Sequence, residues 1–217
     1  MIILFGTAFL GKVDNVNKQW VETSFFYLFV PLFPITSMLV TSSTFRNRQG
    51  MKIALNTKSI IAAYARVYLF LLAVFMIGTS WLVAESSIGG FSMRYGAYFY
   101  MTLVVIASWI YFMFFYGKPT PADIKIRRKI ETCVGLYALP QWFDLYESDR
   151  YLQLFLKNYT QNYPESNWKE DLKAEKISEE KHKHLYAIAL FNCMTFGSDE
   201  DAELYYKADN LYLEPLQ

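Results

Sequence analysis

Residues 6–12 read Gly-Thr-Ala-Phe-Leu-Gly-Lys and follow a short apolar run, which fits the G-x-x-x-x-G-K opening of a phosphate-binding loop. Such a loop needs a hydroxyl at the next position for Mg²⁺ and a helix N-terminus to cradle phosphate. Position 13 is Val, and Asp14-Asn15-Val16-Asn17 reads as a turn, so nucleotide binding is not expected. His182 and His184 are the only histidines, two apart in Lys-His-Lys-His. A zinc pair on a helix needs a spacing of about three or four, so these two are expected to belong to a solvated basic stripe. Any nucleophile–base pair built on histidine would have to use one of them, and nothing in the sequence marks Cys193 as activated. Cys133 and Cys193 lie 60 residues apart, suggest neither a disulfide framework nor a C-x-x-C metal site, and are read as buried thiols. The acidic run 198–203 (SDEDAE) lacks calcium-loop spacing and reads as a helix start, with Ser198 as cap and acids at the positive end of the dipole. No catalytic, cofactor-binding or metal-ligating residue is therefore assigned.

The elements around these residues divide into two physical classes. The chain is 53% hydrophobic and 19% charged overall. Residues 1–118 carry nine bases against three acids, net +6, and residues 119–217 carry twelve against seventeen, net −5. A basic, apolar half suits anionic lipid headgroups, and an acidic, polar half suits a solvated domain. Nucleic acid is excluded as a partner, since a duplex-binding face needs a basic patch in a soluble region.

Two uncharged stretches set the architecture. A bilayer core about 30 Å thick needs about 20 apolar residues at about 1.5 Å each. Residues 96–116 supply 21 without a charge, and residues 67–84 supply 18, with 59–66 as a helical extension from which Arg66 reaches the headgroups. Arg46, Arg48, Lys52, Lys58 and Arg66 precede the first span; Lys118, Lys125, Arg127, Arg128 and Lys129 follow the second. The connecting loop, 85–95, holds only Arg94, and this asymmetry puts both termini on the cytoplasmic side. Tyr64, Tyr68, Trp81, Tyr95, Tyr98 and Tyr116 fall where an aromatic belt would lie. Neither span holds an ionisable residue, which argues against proton relays, voltage sensors and coupled carriers. Gly78, Ser80 and Ala84 offer a small-residue surface on which another helix, including one from a second copy, can pack closely.

Residues 1–56 are expected to form a small β module. Residues 2–5 make a short apolar run punctuated by Gly6 and Gly11, and 19–30 read as a strand. Residues 24–41 are uncharged and long enough for a third span, but Pro31 and Pro34 would each remove a backbone bond at about 3 kcal/mol or more. A strand to Val30, a Pro-bounded turn and strands over 35–40 and 51–55 are preferred to a re-entrant or interfacial hairpin. Residues 1–11 lack a basic n-region and a small-x-small site, so no signal peptide is expected.

The pattern Gly6-Thr7-x3-Gly11-Lys12-Val13-Asp14, then Phe25-Phe26, then Val30-Pro31-Leu32-Phe33-Pro34, resembles an uncharacterised type of bacterial membrane protein with a small N-terminal β module ahead of a transmembrane hairpin. The resemblance covers about the first 45 residues. It implies a bacterial inner-membrane location and no chemistry.

Beyond the second span, Thr120-Pro121-Ala122-Asp123 is a helix start. Ile126, Ile130, Cys133, Val134 and Tyr137 make an apolar stripe opposite Lys125, Arg128 and Lys129, which would lie near headgroups. Further helices are expected over 149–159, 167–175, 179–195 and 199–208, a helical-repeat style without an evident internal repeat. The reading is thus a membrane α-helical hairpin (57–118) between a β module (1–56) and an all-α cytoplasmic domain (119–217). The function expected is that of a multi-pass scaffold or accessory subunit that binds protein partners at the inner face and does no catalysis. The alternatives are an oligomeric channel or membrane-stress effector lined by Thr79, Ser80, Thr102 and Ser108, and, third, a lipid-modifying enzyme.

Overall fold

The computed structural model describes residues 5–44, 48–85, 93–174 and 176–212. They divide into two compact units, Met1–Thr120 and Pro121–Gln217, so the β module and the helical hairpin form one body.

The first unit opens with an antiparallel meander of four strands: β1 (Phe5–Val16), β2 (Gln19–Leu28), β3 (Val30–Ser43) and β4 (Arg48–Ile53), in the order β1-β2-β3-β4. The first reversal is at Asn17 and Lys18, both at positive φ, between the paired Val16 and Gln19. The turn is therefore a two-residue hairpin loop rather than 14–17, because left-handed residues match the twist of the flanking strands. Asp14 instead lies within β1, at φ 52. β1 carries two register shifts, between Leu10 and Val13 and between Val13 and Val16, and the positive φ of Gly11 and Asp14 falls inside them. An extra residue in one strand bends it and re-aims its side chains.

Pro31 and Pro34 sit inside β3, not in a wide turn. The chain reverses at Phe29 (φ 61), and Tyr27 and Phe25 pair with the two prolines. A proline is tolerated where the ladder does not need its N–H, as on an edge or beside a bulge. Both conditions hold here, since β4 pairs only with 37–43 and the β2–β3 ladder is irregular at 24–25 and 26–27.

Helix α1 (Thr57–Glu85) packs on this sheet, and α2 (Met93–Phe114) runs beside α1. Asn56 caps α1, its Oδ1 accepting from the Ser59 N–H at 2.9 Å. The buried Ala62 and Ala63 let the first turns of α1 approach the strands, and Ala73 and Met76 are buried farther along it. A Cβ added at Gly11 would fall on the Ser59 carbonyl oxygen and against Ala63, so glycine is required there by close approach as well as by φ 73. The longest apolar stretches are 57–80 and 96–114; each is long and apolar enough to cross a membrane, and only 22% and 6% of them are buried.

The second unit contains α3 (Pro121–Val134), a 3-10 turn (Pro140–Trp142), α4 (Leu145–Asn162), α5 (Trp168–Lys173), α6 (Glu179–Phe196) and α7 (Asp199–Leu211). Helix α6 is the centre, buried continuously from Leu185 to Asn192. Phe143, Tyr151 and Phe155 pack around Phe191, with ring centroids 5.2–5.7 Å away.

Candidate functional site

The most organised polar region of the first unit lies where the bulged strand β1 meets the start of α1 and the end of α2. Four buried groups form a chain. Thr23 donates to Ser59 Oγ at 2.9 Å, so its single proton is spent, and Ser37 must be the donor in the 2.7 Å contact with Thr23. Ser59 in turn donates to the Gly11 carbonyl at 2.8 Å, and Ser37 Oγ accepts from the Asn56 N–H at 2.9 Å. Every hydroxyl is satisfied, and together they fix how α1 enters the sheet. Thr23 and Ser37 are cross-strand partners facing α1, a placement set by the alternation of side chains along β2 and β3.

Beside this chain, Lys58 Nζ lies 2.5 Å from Asp14 Oδ1 and also donates to the Lys118 carbonyl at 2.9 Å. The Asp14 N–H donates to the Gly117 carbonyl at 2.6 Å. The second bulge of β1 thus aims the Asp14 carboxylate at α1. About two turns farther along α1, Arg66 donates to the carbonyls of Phe112 at 2.8 Å and Lys12 at 2.9 Å, with Tyr116 at 3.5 Å. Phe112 belongs to the last turn of α2, whose carbonyls have no partner within the helix and carry the negative end of its dipole. Arg66 therefore caps the end of α2. The Trp109 indole returns the contact, donating to the Arg66 carbonyl at 3.1 Å.

Lys12, Asp14, Arg66 and Lys118 line an open cavity of about 440 Å³ at this junction. Three cations to one carboxylate give it a positive lining. Lys12, the supposed phosphate-loop lysine, lies 3.7 Å over the Trp20 ring, and Gly11 serves a strand bulge, which accounts for the G-x-x-x-x-G-K pattern without phosphate. Among the described residues this lining holds no Ser, Cys or His.

The other basic residues read as orienting the spans are distributed unevenly. Arg48 pairs with Glu22 at 3.1 Å, Lys52 is exposed on β4, and Arg46 lies outside the described residues. Lys125 and Arg128 are exposed on α3. Arg127 and Lys129, by contrast, are interior residues of the helical unit. Arg127 donates to the Tyr137 carbonyl at 2.7 Å and stacks on Trp142, and Lys129 binds Asp209 at 2.6 Å. The stripe on α3 is correspondingly rotated: Ile130 is buried and Ile126 is exposed.

The small residues and hydroxyls of the two long helices have different local settings. A Cβ at Gly78 would meet nothing within 4 Å, Ser80 bonds the Ile77 carbonyl, and the Ala84 side chain lies outside the described residues, as do those of Trp81, Arg94 and Tyr95. Thr79 bonds Tyr98 across the hairpin, Thr102 is buried and bonds the Tyr98 carbonyl, and Ser108 bonds the Val104 carbonyl.

In the helical unit, Ser198 caps α7, accepting from the Asp201 N–H at 3.1 Å, and the Asp201 carboxylate accepts from Asn192 at 2.5 Å. The acidic run is thus a helix start, and no group of three or more His, Cys, Asp or Glu able to hold a metal occurs among the described residues. Burial opposes ionisation of Asp201, but hydrogen bonds from Ser198 and Asn192 and the charge of Lys169 outweigh it and keep the carboxyl below its ordinary range. Asp171 behaves alike: burial is outweighed by Lys181, at 2.8 Å, and by the Tyr159 hydroxyl.

The histidines are not a solvated stripe. His184 is half-buried and shares a cavity of about 180 Å³ with Cys133, a juxtaposition that the 50 intervening residues conceal in the sequence. Burial raises the Cys133 thiol, Thr132 and Lys183 opposing it, and burial then Lys183 lower the His184 imidazole. Both shifts favour neutral forms, opposite to an activated thiolate–imidazolium pair. Cys193 is half-buried and raised by burial, then by Asp201.

Comparison with protein families, curated proteins and solved structures gave no match. No family is identified for the chain; what stands is the architecture, a four-stranded antiparallel sheet followed by two long apolar helices.

Proposed function

We infer that the protein is a multi-pass membrane anchor whose hairpin, α1 and α2, holds the sheet and the helical unit at the cytoplasmic face, where they bind protein partners as a scaffold or accessory subunit. One observation carries this reading: the two helices expose apolar side chains, among them Phe75 (65%), Val104 (65%) and Phe114 (63%), along stretches as long as a bilayer is thick. Side chains of that kind are stable facing lipid and unstable facing water. The flanking charges support an inward placement of both ends. In the helical unit, Leu145 and Tyr146 at the start of α4 are 65% and 77% exposed, and adjacent exposed aliphatic and aromatic side chains suit a protein interface.

The test is site-specific photocrosslinking in intact membranes at native expression. A photoreactive residue at Tyr146 should trap one stoichiometric protein partner, and Leu145→Asp should abolish the adduct without changing membrane content. Recovery of the bare protein alone, together with turnover in an activity screen, overturns the scaffold reading. Extraction of the chain by carbonate without detergent overturns the anchor.

A further inference from the structure

The β2–β3 hairpin carries an outer surface that is exposed among the described residues. Phe26 and Phe33 are direct cross-strand partners, opposite in the pleat to the buried Phe25, and Leu28, Phe29 and Ile35 lie close to them along the hairpin. Their exposures are 41% and 68% for the pair, and 45%, 65% and 51% for the three neighbours. The opposite face of the same hairpin is the packed one, with Phe25 buried edge-on against Tyr64 of α1 at 5.4 Å. No charged residue occurs anywhere in 23–45.

The position of the tip along α1 identifies the occupant. Tyr64 donates to the Leu32 carbonyl at 2.6 Å and Tyr68 to the Pro31 carbonyl at 3.2 Å, so the tip lies beside the part of α1 where the uncharged run from Val67 begins. Arg66, the last cation on α1, lies between those two tyrosines in sequence, and Phe70, Leu71 and Leu72 follow immediately, 43–47% exposed. The apolar face of the hairpin and that of α1 are therefore continuous at the level where charge gives way to hydrocarbon. Backbone polar groups at such a depth need partners. Here Pro31 and Pro34 remove two N–H donors from the part of β3 that β4 does not pair, and the two phenols satisfy two carbonyls. Tyrosine at this level matches the preference of its amphipathic ring for the membrane–water boundary, and the phenylalanines match the apolar layer next to it.

We propose that the β2–β3 hairpin is a third membrane contact: Phe26, Leu28, Phe29, Phe33 and Ile35 insert into the interfacial layer of a phospholipid bilayer alongside α1, as a wedge that does not cross it. This rests on the anchor reading above. It accounts for an 18-residue uncharged stretch, 24–41, that is long enough to span yet folds as strands.

The full-length chain, with Cys133→Ser and Cys193→Ser, is reconstituted in vesicles of phosphatidylcholine and phosphatidylglycerol and spin-labelled singly at Phe29→Cys, Phe33→Cys, Leu72→Cys or Lys52→Cys. All four positions are at the surface, so labelling leaves the packing intact. The ratio of oxygen to water-soluble nickel accessibility should be several-fold higher at positions 29, 33 and 72 than at 52. A water-like ratio at 29 and 33 with a lipid-like ratio at 72 overturns the wedge and leaves the anchor standing. Water-like ratios at all positions overturn both. Dipolar broadening between labels at 33, abolished by dilution with unlabelled chain, shows a second copy on this face and also overturns the wedge. A Phe33→Trp variant provides an independent readout, its fluorescence being quenched by shallow brominated lipid more than by deep.

Discussion

Arg66 of α1 donates to the Phe112 carbonyl in the last turn of α2 at 2.8 Å, across 46 residues of sequence. The cation of one helix thus closes the exposed end of the other, and the same guanidinium reaches β1 through the Lys12 carbonyl at 2.9 Å. Sheet, α1 and α2 are thus bridged by this side chain, in addition to the buried hydroxyl chain and the packing that join α1 to the strands.

Replacing Arg66 with Met should lower the stability of the chain in detergent by about 1.5–3 kcal/mol, the range for hydrogen bonds to a charged group. Arg66→Lys should recover less than half of the loss, because a single ammonium cannot match the fork that serves several carbonyls. Thermal unfolding in mild detergent measures both, and equal stability of the Lys variant and the parent would contradict the capping role.

Gly11→Ala should be among the most damaging single substitutions in the sheet. The added Cβ meets the Ser59 backbone, and the residue must keep φ 73. Left-handed strain and overpacking together cost about 2–4 kcal/mol. Gly78→Ala, where a Cβ meets open space, is the matched control and should shift the unfolding midpoint little.

Thr23→Val keeps the shape of the side chain and removes the middle hydroxyl of the Ser37–Thr23–Ser59 chain. It leaves Ser37 without an acceptor and Ser59 without its donor in a buried site, at about 1–3 kcal/mol. The triple change Thr23→Val, Ser37→Ala, Ser59→Ala should cost less than the sum of its parts, since no polar group then stays half-satisfied. Additive losses in a mutant cycle would rule out a coupled network.

The helical unit should lose stability in acid. Asp171 and Asp201 have folded-state pKa values below the ordinary carboxylate value, so the unfolded chain binds protons first as pH falls. Their contribution is complete above the ordinary value, about 4, and is lost as pH drops from there through the lower folded values. Asp171→Asn should flatten the dependence of stability on pH below about 4 and leave the slope between about 6 and 8 unchanged. An unaltered acid limb in far-ultraviolet circular dichroism would contradict the assignment.

Much of this architecture is legible without coordinates because its causes are local. Length and lack of charge mark the two long helices, although α1 starts ten residues before the apolar core of 67–84, because Asn56 caps it and alanines let it rest on the sheet. Helix starts at Pro121 and Ser198 follow from cap chemistry within four residues. The strands of the meander follow from alternation, but Pro31 and Pro34 read locally as a turn, and their place within β3 depends on which edge β4 leaves unpaired.

What the amino-acid sequence determines by itself is each segment's preference for helix, strand or turn and the uncharged length of 67–84 and 96–116, since these are sums over neighbouring residues. Tertiary structure decides the use of the charges. Arg66 caps a helix 46 residues away, Arg127 and Lys129 turn inward, and Cys133 and His184 share one cavity. A cation's setting depends on which distant carbonyl or carboxylate the fold brings within about 3 Å, a distance that spacing along the chain does not encode.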